Sequence, residues 1–111
     1  MKAKDKKSLR VGNIKRITDF MISSIKKSQN KGVDIKEITE QMQQKNLDEA
    51  EKLMIRYITG KKPEKITQKM IDGITQLAAR ADHLSDIKIS PEKKEEKWAG
   101  YILRTRDELV A

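Results

Sequence analysis

An all-α fold, a compact bundle or orthogonal array of about five helices behind a flexible basic N-terminal arm, is what this sequence predicts. Three observations predict it. Apolar residues recur at spacings of three and four along most of the chain, as helices with one buried face require. Helix-starting and helix-stopping residues divide the chain into short segments. No stretch alternates apolar and polar residues as a strand would; Ile87-Lys88-Ile89 is the one candidate, and it is too short.

Residues 1 to 7, Met-Lys-Ala-Lys-Asp-Lys-Lys, read as the arm, and residues 8 to 111 as a single helical domain. From Ser8, Val11, Ile14, Ile17, Met21, Ile22 and Ile25 share one helical face, and Lys31-Gly32 offers a stop. Asp34 and Glu37 suit a capping box, with Val33 and Ile38 as its hydrophobic staple, for a helix ending near Lys45. Asn46 and Glu49 repeat the capping pattern for a third helix that stops at Gly60. Pro63 suits the first turn of a fourth, which buries Ile66, Met70, Ile74, Leu77, Ala81 and Leu84. Gly73 within it costs about 1 kcal/mol of propensity and predicts a close helix crossing. Ser90-Pro91 opens the last helix, with Trp98, Ile102 and Leu109 in register.

Charged residues make up 38% of the chain and aromatics 4%, a balance that leans towards disorder. The regular spacing of isoleucine and methionine argues for a folded body. With no cysteine, disulfides, thiolate metal sites and cysteine nucleophiles are excluded. The longest wholly apolar runs, such as Phe20-Met21-Ile22, are three residues, too short for a membrane span or a signal-peptide core. The cytoplasm is the expected location.

Catalysis is not expected. His83, the single histidine, stands between Asp82 and Asp86 as a surface residue beside carboxylates. Asp48, Glu49 and Glu51 cluster at a helix N-terminus, where the macrodipole favours them. Ser23 has only Asp19 and Lys27 one turn away and no base to take its proton. No glycine-rich phosphate loop exists, and no metal or cofactor is expected.

The charge distribution carries the functional expectation. The net charge is +8, and residues 1 to 31 hold ten Lys/Arg against two Asp, so residues 32 to 111 are together neutral. A basic arm leading into an amphipathic helix suits nucleic acid, since each cation that neutralises a phosphate releases counterions. The expected contacts are Lys2, Lys4, Lys6, Lys7, Arg10, Lys15 and Arg16. A second group, Lys61, Lys62, Lys65 and Lys69, surrounds the start of the fourth helix, whose free amides favour phosphate. Two helix-turn-helix placements fit poorly. One leads with Asp48, Glu49 and Glu51, and the other puts Arg56, Thr59 and Lys61 where small or apolar residues belong. Phe20, Tyr57, Trp98 and Tyr101 fall on or near apolar faces and read as core.

The expected role is therefore a non-enzymatic nucleic-acid-binding accessory or regulatory protein, DNA first among the candidates. The alternative is a protein-binding module (adaptor, inhibitor or immunity type, or a homodimer) acting through Trp98, Tyr101 and Leu103 of the last helix. A third reading, the first helix on an anionic membrane with Phe20, Met21 and Ile22 inserted, ranks last.

Overall fold

The computed structural model describes residues 2 to 25 and 34 to 110, and of residues 2 to 6 the backbone alone. Among the described residues there are five helices: α1 (Lys2–Ser24), α2 (Ile35–Gln43), α3 (Leu47–Thr59), α4 (Gln68–Asp86) and α5 (Pro91–Val110). The Cα radius of gyration is 13.3 Å, close to the value of about 13 Å for a single compact domain of this length.

α3 is the central element. Seven of its residues are buried: Ala50, Glu51, Leu53, Met54, Ile55, Tyr57 and Ile58. Around it pack Ile14, Ile17, Phe20 and Met21 from α1, Ile38 from α2, Ile74, Leu77, Ala78, Ala81 and Leu84 from α4, and Trp98 and Ile102 from α5. Three helices meet at one aromatic cluster. The Phe20 and Trp98 rings lie 4.9 Å apart at 53°, and Trp98 Nε1 donates to Tyr57 Oη at 2.7 Å. That bond removes the cost of burying an indole N–H, and the rings supply large apolar area to a core otherwise built of aliphatic side chains.

Several element ends follow local chemistry. Asp34 caps α2 by accepting from the Lys36 amide at 2.9 Å. Gly60 ends α3 at φ 86°, a left-handed conformation that glycine adopts without penalty. Ser90 Oγ accepts from the Lys93 amide at 3.3 Å, at the start of α5. Gly73 is buried at the α4–α5 crossing, where an added Cβ would stand 3.1 Å from Leu109 Cδ2. The close crossing foreseen for Gly73 is therefore present.

Other expectations are corrected. The backbone of α1 runs from Lys2 and so takes in residues 2 to 7, read from the sequence as an arm. Ile22 is 66% exposed rather than core. Asn46 does not cap α3 with its side chain. Lys45 takes a positive φ of 61°, which folds Asn46 back over α2, and its amide group donates to Gln41 Oε1 at 3.1 Å. α4 begins five residues after Pro63, because Thr67 supplies the cap, accepting from the Met70 amide at 3.3 Å. The Lys31-Gly32 stop and the Val33 half of the staple lie outside the described residues.

Burial pushes the Tyr57 phenol above its ordinary value, and the bond from Trp98 opposes this in part. The folded state therefore favours neutral Tyr57, a contribution that is complete below the ordinary tyrosine pKa of about 10. Stability should fall as pH rises past that value through the folded pKa, and Tyr57→Phe should remove this alkaline loss. At neutral pH, Tyr57→Phe leaves a buried indole N–H without its partner and should cost about 1–2 kcal/mol. Urea unfolding at neutral and alkaline pH tests both; an unchanged midpoint at neutral pH would mean that the bond contributes nothing.

Candidate nucleic-acid interface

The direction of two helices decides what the basic residues can do together. Leu9 and Arg10 of α1 share a groove with Gln68 and Ile71 of α4. Further along both helices, Asn13 Nδ2 donates to Thr75 Oγ1 at 2.9 Å and Arg16 pairs with Asp82 at 3.0 Å. α1 and α4 thus run side by side in the same direction, and both begin at one end of the bundle. Lys2, Lys4, Lys6 and Lys7 belong to the first two turns of α1, and Lys69 follows Gln68 in the first turn of α4. The connection carrying Lys61, Lys62 and Lys65 reaches the same end, because Lys62 is ion-paired to Glu49, two residues from the partner of Arg10. Two groups of cations separated in sequence by more than fifty residues thus lie towards one end of the bundle, with α1 running on beyond the level of Gln68. Lys15 is exposed but lines the opposite groove, between α1 and α2.

Not every cation there faces outward. Arg10 donates to Glu51 from Nε at 3.0 Å and from its terminal nitrogen, and reaches Asp48 at 3.4 Å. Glu51 is 1% exposed and Arg10 27%. The fork-shaped guanidinium matches the carboxylate, and the hydrogen bond it donates to Glu51 is the main cause that raises the Arg10 pKa above its already high ordinary value. Arg10 is therefore a joint between α1 and α3 and not a phosphate contact. Arg16 also donates to Asn13 Oδ1; its guanidinium is shared between Asn13 and Asp82. Lys62 is held by Glu49. The acids at the start of α3, expected there because the macrodipole favours them, are also the partners of Arg10 and Lys62.

Sequence reasoning missed the Arg10–Glu51 joint, although a signal was present. Arg10, Ile14, Ile17 and Met21 form one stripe at spacings of four, three and four; Leu47, Glu51, Ile55 and Ile58 form another at four, four and three. One charge stands in each apolar stripe, and the two are of opposite sign. A charge carried into a core needs such a counter-charge.

The helix-turn-helix placements both fail on geometry. α3 is too deeply buried to enter a groove, and residues 60 to 67 separate it from α4, twice the three- or four-residue turn of that motif. The apolar face expected of α5 is also corrected. Trp98 is 2% exposed and belongs to the core. Arg80 covers the half-buried Tyr101, its guanidinium carbon 5.5 Å from the ring centroid. Of the three, Leu103, 44% exposed, remains outward. Exposed apolar surface also lies between α1 and α2, where grooves of about 390 Å³ and 570 Å³ share Ile22 and Thr39, and at Leu9 in the groove between α1 and α4. Phe20 and Met21 are core, so they are not available for insertion into a membrane, and among the described residues no helix is long and apolar enough to cross one. No group of three or more His, Cys, Asp or Glu among the described residues could hold a metal ion.

Fold and site together define a small all-α bundle with one basic end. In comparisons with known proteins, no family model, no curated protein and no solved structure matches the chain.

The joint yields a stability prediction. Arg10→Ala strands a buried carboxylate and should cost about 3 kcal/mol, whereas the double change Arg10→Leu with Glu51→Leu should recover most of that loss. Urea midpoints of the three proteins decide the matter. A double variant no more stable than Arg10→Ala would show that the charges do not act as a pair.

Proposed function

We propose that this chain is a non-enzymatic nucleic-acid-binding protein of accessory or regulatory type, with DNA as its first candidate ligand and the cytoplasm as its setting. The contact surface is the basic end. The observation that carries the reading is the parallel course of α1 and α4, which brings the lysines at the start of α1 together with those around the start of α4. A second observation supports it. Four lysines in the first two turns of α1 stand at the positive end of a helix dipole, where they oppose helix formation and an anion would relieve them. Arg10 and Lys62 are neutralised internally and Arg16 is shared with Asp82, so Lys2, Lys4, Lys6, Lys7, Lys61 and Lys65 carry the affinity.

Electrophoretic binding to random-sequence nucleic acid at about 50 mM and about 200 mM salt tests the reading. Affinity should fall steeply with salt. Replacing Lys2, Lys4, Lys6 and Lys7 with Ala should reduce the slope of log affinity against log salt by about 3–4, and Lys61→Ala with Lys65→Ala by about 2. Glu49→Gln should free Lys62 and tighten binding. Absence of salt-sensitive binding by the unaltered protein overturns the proposal; an unchanged slope in the lysine variants would remove the basic end from it.

A second reading, a surface for an apolar segment of another protein or a second copy, draws on the grooves between α1 and α2, where Ile22 is exposed. This moves the partner surface from α5 to α1. Ile22→Glu should leave the urea midpoint within about 0.5 kcal/mol of its unaltered value, as an exposed position allows, while abolishing any self-association seen by light scattering. A monomer at all concentrations removes the homodimer.

A further inference from the structure

We infer that the nucleic acid taken by the basic end is a duplex gripped through its phosphates, without regard to base sequence, and not a single strand. The inference rests on the nucleic-acid reading above and narrows its ligand. Proteins that hold single strands stack the bases on exposed aromatic rings, each worth about tenfold or more in affinity. This chain has four aromatic residues in all, one Trp, one Phe and two Tyr, and each is accounted for. Phe20, Tyr57 and Trp98 are 2%, 3% and 2% exposed and are engaged with one another. Tyr101 is half-buried beneath Arg80, which Thr105 Oγ1 anchors at 3.3 Å.

Tyr101 is also in the wrong place. It stands at the level of Arg80, twelve residues beyond Gln68 along α4, which is about 18 Å from the basic end at 1.5 Å per residue. The grooves beside α1 offer no ring either. Their walls are aliphatic, hydroxyl, amide and charged side chains. A base splayed out of a single strand would find no aromatic ring there to rest on, and the two guanidinium planes in the groove are already engaged by Glu51, Asn13 and Asp82.

A duplex asks for something different. It presents a fixed charge about every 1.7 Å along its axis, without exposing base faces. Point charges on flexible stems suffice to meet it, and the basic end supplies lysines. Arginine, whose fork reads guanine edges, lines the groove at this end as Arg10 and Arg16; the Arg10 fork is closed on Glu51 and Asp48, and that of Arg16 is engaged by Asn13 and Asp82. The group best suited to read bases is used for folding. What remains recognises backbone charge.

The experiment compares a random-sequence duplex with its single strand at equal phosphate number, using the full chain, in DNA and in RNA arms. The duplex should bind at least about tenfold more tightly at about 50 mM salt, and its affinity should not depend on base composition. Tyr101→Leu should leave duplex affinity within about twofold, since the ring stands off the interface. A single strand bound as tightly as the duplex, or a tenfold loss with Tyr101→Leu, overturns this inference while leaving the nucleic-acid reading intact. Failure of every form to show salt-sensitive binding overturns both.

Discussion

Glu51 is 1% exposed, and an isolated carboxylate in such a setting would lose several kcal/mol of hydration. The N-terminal half of α1 answers that demand. Arg10 meets the carboxylate with two donors, and that contact sets where α1 lies against α3. Asn13 and Arg16 follow at intervals of three, so a polar stripe on α1 is committed to Glu51, Thr75 and Asp82 in turn. The neighbouring stripe of Ile14, Ile17 and Met21 enters the core. α1 is thus held by two sets of contacts of different chemistry. The apolar set supplies most of the burial free energy. The polar set tolerates only one sliding position, since a shift of one turn would leave Glu51 unpaired.

That constraint also shapes the surface. A chain with its excess charge in the first 31 residues could present all of it to solvent, but this one turns Arg10 inward onto Glu51 and pairs Arg16 with Asp82. The acids at the start of α3 hold Arg10 and Lys62. Lysine suits a ligand recognised by charge density, and the inward arginines suit fixed, planar pairing within the protein. The division follows the chemistry of the two side chains.

The helical faces were legible in the residues because burial along a helix is a local pattern. Spacings of three and four were enough to find the inward sides of α3 and α4, and Gly73 signalled a crossing that Leu109 completes. Capping was legible where it depended on one residue, as at Asp34 and Gly60. It failed at Asn46 and Pro63, where two local options compete and tertiary placement chooses between them. The basic end was half legible. Both lysine groups could be read from composition, but their convergence depends on α1 and α4 running in the same direction, which no local pattern encodes. The loss of Arg10 to Glu51 was hidden for the same reason, since its partner lies 41 residues away. Exposure of Ile22 escaped because an apolar stripe can be wider than the neighbour that covers it.

The aromatic cluster has one more consequence. Phe20 comes from α1, Tyr57 from α3 and Trp98 from α5, and Trp98 is the single indole in the chain. Its near-ultraviolet circular dichroism therefore reports the mutual docking of three helices through one chromophore. Loss of that signal with far-ultraviolet helicity retained would identify a state whose helices persist while their packing has loosened. The protein carries, at the centre of its core, an optical gauge of its own tertiary order.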